Sequence, residues 1–166
     1  IDSAYYANKI TVLVFSSPGC APCKYMLPKL DKWTKQFARD TFQVLFIFDA
    51  NIAYTRDFRA ANSKHFGKQK RKQGIDSLAF DFIAECPMTE PKLFNKACQA
   101  IAKDFRVNGW PATFFIGKDG IIRNYEVGYA VGNTHGMDLY FDELLRKTVL
   151  NERYVFDGKV FISHSE

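Results

Sequence analysis

The sequence predicts an α/β chain: a central mixed β-sheet flanked by helices, interrupted by a partly helical insertion. Three observations carry this. Ile10–Phe15 and Phe42–Phe48 are continuous apolar runs of strand length, the pattern of strands buried on both faces. Between them Cys23, Met26, Leu27, Leu30, Trp33 and Phe37 recur at helical spacing over Ala21–Arg39. Further on, Ala112–Ile116 and Ile121–Val127 flank the turn Gly117–Gly120 and read as an antiparallel pair.

Strand, helix and strand at such short spacing imply a right-handed βαβ unit with parallel pairing. From Asp49 to Pro91 no pattern is sustained. That stretch holds the basic run Lys64, Lys68, Lys70, Arg71 and Lys72, a short helix at Ser77–Ala84, and a break at Cys86-Pro-Met. It reads as an insertion, residues 49–91, between the second strand and the second core helix. Lys92–Phe105 is that helix, with Leu93, Phe94, Ala97, Ile101 and Phe105 on one side. Asn133 or Thr134 caps a last amphipathic helix running to Leu150. In the tail, Asp157-Gly158 separates two apolar runs within Tyr154–Ile162, a hairpin signal. The expectation is one domain, 1–166, with 151–166 as a C-terminal extension.

Composition sets limits. Of 166 residues, 47% are hydrophobic and 16% aromatic, which excludes a disordered chain. No run approaches the roughly eighteen apolar residues of a membrane span, so no membrane insertion is expected. The net charge of +5 comes largely from the basic run. Only Phe66 interleaves it, so it reads as a solvated loop and not as a nucleic-acid surface. The chain begins at Ile1, as expected if a secretory signal has been removed.

Chemistry concentrates at Cys20-Ala21-Pro22-Cys23, where a buried strand ends and a helix begins. Two intervening residues on a helical first turn bring the sulfurs within bonding reach. At the helix N-terminus, unpaired N–H groups and the macrodipole favour the thiolate of Cys20, which is the attacking species. Cys23, one turn deeper on the apolar face, would resolve a mixed disulfide by attacking Cys20. A zinc site would need two further ligands; Cys86 and Cys98 have eleven residues between them and His65 stands alone, so no metal is expected. No cofactor is called for.

Cys20-Ala-Pro-Cys-Lys-Tyr-Met-Leu-Pro-Lys-Leu-Asp31 resembles the active-site segment of thioredoxins, with Lys24, Pro28, Leu30 and Asp31 at matching offsets. Val107-Asn-Gly-Trp-Pro111, before the strand Ala112–Ile116, is similar to that family's second hallmark, a cis proline beside the cysteines. The resemblance covers about three-fifths of the chain, Lys9 to Asp49 and Pro91 to Leu150. It implies a thioredoxin-like fold and thiol–disulfide exchange with protein cysteines. It also implies a substrate groove shaped by Gly109, Trp110 and Pro111 with Ala21 and Pro22, in which the Trp110 backbone pairs with an extended substrate. The partners implied are cysteine-containing proteins and a recycling partner, which in this class can be membrane-bound.

The sequence also departs from the family. Thioredoxins carry a buried carboxylate six positions before the first cysteine; here that position is Val14. Glu126 is a candidate base in its place, with an ordinary surface charge the preferred reading. Gly19 stands where thioredoxins have tryptophan, a pattern more similar to secreted and periplasmic relatives, and the insertion occupies the place of the helical insertion in Dsb-type oxidases. Cys86 and Cys98 admit three readings: a structural disulfide closing a loop of 13 residues, free buried thiols, or a second redox pair. The first is the expectation, and it favours an oxidising, exported location over a cytoplasmic one. The Ala-Pro dipeptide resembles the Gly-Pro of reducing members more than the Pro-His of oxidising ones, so a reductase or isomerase is expected. The rival is a thioredoxin-like binding module of a secretion or conjugation apparatus, in which redox activity is secondary.

Overall fold

The structure is a computed structural model that describes residues 8–60, 77–86 and 99–150, together with the backbone of Arg153–Phe156 and Phe161–His164. The first apolar run forms β1 (Ile10–Ser16), followed by α1 (Ala21–Gln36) and β2 (Phe42–Phe48). Every residue of both strands is buried, as continuous apolar runs require. β1 and β2 pair in parallel, Val12 opposite Val44 and Ser16 opposite Phe48.

Two elements then arise inside the stretch read as an insertion. Asn51 caps α2 (Ile52–Arg59), its side chain accepting from the Tyr54 N–H at 2.8 Å. The short helix expected at Ser77–Ala84 is instead an extended segment ending in β3 (Asp81–Ala84), parallel to β2. Leu78 and Phe80 are buried and Phe82 packs against the same core, a period of two that fits a strand and not a helix. The basic run lies outside the described residues.

Of the expected helix Lys92–Phe105, the described part forms α3 (Ala100–Asp104). β4 (Ala112–Ile116) runs antiparallel to β1, and β5 (Ile122–Val127) antiparallel to β4. A 3₁₀ turn at Val131–Asn133 leads into α4 (Thr134–Val149), capped by Asn133. In the tail, β6 (Arg153–Phe156) and β7 (Phe161–His164) pair as the expected hairpin. The main sheet has the order β3-β2-β1-β4-β5, a mixed five-stranded sheet flanked by helices.

Its two faces bury different helices. Val12, Val14, Val44, Phe46, Phe48 and Phe115 pack with Met26, Leu27 and Leu30 of α1 and with Phe141, Leu144 and Leu145 of α4. Leu13, Phe15, Leu45, Ile47, Ala112 and Phe114 form a second cluster with Ala102 of α3. Alternation along each strand thus assigns α1 and α4 to one face and α3 to the other. Among the described residues no helix is long and apolar enough to cross a membrane.

Candidate active site

Cys20 is the N-cap of α1, and its Sγ accepts the Cys23 N–H at 3.1 Å. That occupies one of the orphan donors of the first turn with sulfur, where most helices use oxygen. Pro22 sits in the first turn, where a missing N–H costs nothing. The loop is closed behind it by the Cys20 N–H donating to the Ser17 carbonyl at 3.1 Å. Cys20 and Cys23 are joined as a disulfide, with Cα atoms 5.3 Å apart. Cys20 is 8% exposed and Cys23 1%, so the outer sulfur is the one a partner meets first. Ala21 is exposed and Pro22 half-buried beside it.

The register brings the second motif to the same place. Phe15 lies opposite Ala112, so one step further along the antiparallel pair sets Pro111 across from Ser16, where the chain leaves β1 for the cysteines. The Trp110–Pro111 peptide is cis. The Pro111 carbonyl accepts from the Gly128 N–H at 2.7 Å, fixing the loop to the end of β5. At Gly109 a Cβ would meet Val127 Cγ1 at 3.0 Å, so glycine permits this close approach. Trp110 is half-buried and packs on the α3-side cluster. The C-terminal ends of β1, β2 and β3 and the N-terminal end of β4 therefore converge, the usual location of sites in open α/β sheets.

Val14, at the family's carboxylate position, is fully buried between Phe46 and Thr113. The Thr113 hydroxyl faces Met26 Sδ at 4.0 Å, so the space behind the cysteines is closed by apolar groups and one hydroxyl. Glu126 lies opposite Thr113 in register, half-buried, and accepts a hydrogen bond from the Tyr140 hydroxyl at 2.8 Å. Burial, reinforced by that bond to Glu126, holds the Tyr140 hydroxyl above the ordinary tyrosine range. Glu126 is thus neither a free surface charge nor adjacent to Val14: a whole strand separates them.

Two carboxylates at this sheet end were not singled out from the sequence. Asp49 follows β2 and Glu85 follows β3, and they are 4% and 9% exposed. The Asp49 N–H donates to the Ser16 carbonyl at 2.9 Å, and its Oδ2 accepts from Gln99 Nε2 at 3.0 Å. Glu85 Oε1 accepts from the Ala102 N–H at 2.7 Å. Burial pushes the Glu85 carboxyl above its usual range against that hydrogen bond, and the Asp49 charge adds to the rise. Both face α3, the side of the sheet away from α1, so they are not placed to serve Cys23. The available signal was an acid directly following an apolar strand, as in Ile47-Phe48-Asp49 and Ile83-Ala84-Glu85.

Cys86, next along, is 5% exposed and disulfide-bonded, and its N–H donates to the Ala50 carbonyl at 3.3 Å. Cys98 lies outside the described residues. Among the described residues no group of three or more His, Cys, Asp or Glu side chains is placed to hold a metal ion.

Residues 1–125 match the model of the AhpC/TSA family. No curated protein matches the sequence. Among solved structures, the chain is similar to a Neisseria meningitidis protein assigned as a thioredoxin, with TM-score 0.57, 21% identity, and 90% of this chain and 83% of that one covered. A thiol-disulfide isomerase from Corynebacterium glutamicum aligns with TM-score 0.51 and 16% identity over 87% and 86% of the two chains. The exposed lipoprotein thioredoxin Etrx1 of Streptococcus pneumoniae gives TM-score 0.50 and 20% identity over 86% and 88%. At these identities the structures establish the fold, thioredoxin-like. The family match covers most of the chain, and the cysteine pair occupies the N-terminus of α1 on that fold: the chain belongs to the AhpC/TSA family, with a thioredoxin-like fold.

Proposed function

We propose that the protein exchanges disulfides with cysteines of other proteins, on the reducing or isomerising side. The observation that carries this is the unequal pair: Cys20 outermost at the helix cap, Cys23 enclosed beneath it. In the reducing direction the Cys20 thiolate attacks one sulfur of a substrate disulfide. A Cys20–substrate bond forms, the substrate disulfide breaks, and the first substrate sulfur leaves as a thiolate that takes a proton from water. Cys23 then attacks Cys20 Sγ, releasing the second substrate thiol and closing the Cys20–Cys23 disulfide. Two electrons pass to the substrate, and an external dithiol partner must return them. Gly109, Trp110 and Pro111, with Ala21 and Pro22, are the groove that receives the substrate, the Trp110 backbone pairing with its extended chain.

The same reading takes 1–166 as one domain with 49–91 inserted and 151–166 appended. It takes Cys98 as the partner of Cys86, a structural bridge. A buried second disulfide supports an exported location, and one structural relative is itself an exposed lipoprotein. The Ala-Pro dipeptide supports the reducing direction. The deciding measurement is the Cys20–Cys23 reduction potential in a glutathione buffer. A value near about −270 mV is expected; one near about −120 mV would make the protein an oxidant. Cys20→Ser should abolish exchange, and a Cys20→Ser protein that still turned over a disulfide would end the assignment of Cys20 as nucleophile.

A further inference from the structure

We propose that Glu85 is a positioning residue for the substrate groove: its carboxylate holds the helix from which the Pro111 wall hangs. Ala102 is the link. Its N–H donates to Glu85 Oε1 at 2.7 Å, and its carbonyl accepts from the Val107 N–H at 2.8 Å. Val107 begins the segment Val107-Asn-Gly-Trp-Pro111, so a single residue couples the carboxylate to that wall.

The first turn of α3 needs outside acceptors. Gln99, at its cap position, makes no side-chain capping bond; its amide is turned to Asp49 Oδ2 at 3.0 Å. Glu85 takes the Ala102 N–H and also a backbone bond from Ile101, doing from another strand what a cap residue ordinarily does. A carboxylate there is further favoured by the exposed peptide dipoles. Among the described residues the charged groups around it are Asp49 at the end of β2 and Lys103 on α3.

Glu85 is held rigidly enough to act as a strut. Its N–H donates to the Phe48 carbonyl at 2.9 Å, and the next residue is the disulfide-bonded Cys86. The wall has two anchorages. The β5 end rests on backbone, Gly128 N–H to the Pro111 carbonyl at 2.7 Å. The α3 end, where Arg106 turns the chain at φ 53°, is tied to the sheet by the Glu85 carboxylate, by Gln99 on Asp49 and by the packing of Ile101, Ala102 and Phe105.

This inference rests on the reading of Gly109–Pro111 as the substrate wall, and the test separates the two. Reduced protein is assayed against dithionitrobenzoate, a small disulfide that meets Cys20 without the wall, and against an unfolded polypeptide carrying one disulfide. Glu85→Ala should raise KM for the polypeptide about tenfold, the scale of one lost charge-assisted hydrogen bond, with kcat and the dithionitrobenzoate rate within about twofold. Glu85→Gln keeps an acceptor oxygen and should restore KM. If Glu85→Ala does not fold, Glu85→Asp, which withdraws the carboxylate by one methylene, should show a smaller rise of the same kind. Trp110→Ala reports on the wall itself. Should Trp110→Ala raise the polypeptide KM while neither Glu85 variant does, Glu85 has no positioning role and the groove stands. Should Trp110→Ala leave it unchanged, the groove reading falls and this inference with it. Equal losses on both disulfides in the folded Glu85 variants would also overturn it, because the effect would then lie in the thiol chemistry or the fold.

Discussion

Asp142 Oδ1 accepts a hydrogen bond from Trp33 Nε1 at 2.8 Å while its Oδ2 pairs with Lys29 Nζ, so one carboxylate of α4 holds two side chains of α1. The Lys29 ammonium also lies 5.4 Å from the centre of the Trp33 ring, a cation–π contact. Lys29 follows Pro28, where the helix necessarily lacks one internal hydrogen bond. The helix that presents the cysteines is thus clamped just beyond its weakest turn.

Removing that carboxylate strands a buried ammonium and an indole N–H. Lys29 is 6% exposed, but Asp142 is 48% exposed, and solvent on that side tempers the loss. Asp142→Ala should therefore cost about 2 kcal/mol, and Asp142→Asn about half, in urea unfolding of the oxidised protein. A shift smaller than about 0.5 kcal/mol would show that Lys29 finds water instead.

Ser16 gives a prediction of opposite sign. Its Oγ is buried on the α1 face with no hydrogen-bond partner among the described residues, at the strand end facing the cysteine loop. An unsatisfied buried hydroxyl costs about 1–3 kcal/mol. Ser16→Ala should raise stability by about 1 kcal/mol in the disulfide form. If it lowers stability in the oxidised protein, the hydroxyl has a partner after all.

The sequence displayed what is regular and local. β1 and β2 were legible as continuous apolar runs that stop at Ser16-Ser-Pro-Gly and at Asp49, and α1 because its apolar residues keep one helical period over sixteen residues. The cysteine pair was legible because its chemistry needs only a spacing and a helix start. β3 was not: four residues, Asp81–Ala84, are too short for periods of 2 and 3.6 to be told apart, and the strand exists by pairing with β2. α2 is short and polar on most of its surface, with Ile52 exposed, so it was absorbed into a vaguely helical stretch. Asp49 and Glu85 escaped notice because their burial depends on Gln99 and Ala102, fifty and seventeen residues away. Tertiary partners of that kind leave no local trace.

Glu85 also predicts a pH dependence of stability. Its carboxyl titrates above the ordinary glutamate value, chiefly through burial, then through the Asp49 charge. Between the unfolded and folded values the native state holds the extra proton, so stability falls as pH rises through that window. Below the unfolded value, about 4.3, the contribution is fully present. Glu85→Gln removes the titration while keeping an acceptor for the Ala102 N–H. Urea midpoints compared at pH 4.5, 5.5, 6.5 and 7.5 should therefore show the wild type losing ground to the variant as pH rises. Parallel curves for the two proteins would mean that Glu85 titrates at its ordinary value.

Cys86 is buried and disulfide-bonded, and it follows directly on Glu85, whose carboxylate with Asp49 makes the surroundings electronegative. An enclosed sulfur is poorly reached by a partner thiol, so the Cys86 bridge, to Cys98 on the proposed pairing, is better suited to bracing. It braces a meaningful place, the end of β3 beside the carboxylate that holds α3. Replacing Cys86 and Cys98 together by alanine should cost about 3 kcal/mol, the chain-entropy value for a loop of this length. The reduction potential of Cys20–Cys23 should stay within about 30 mV of wild type, and turnover with a dithiol reductant should persist. If turnover with the reductant stops while the dithionitrobenzoate reaction of the pre-reduced protein continues, the second pair is relaying electrons, and the bridge is part of the chemistry.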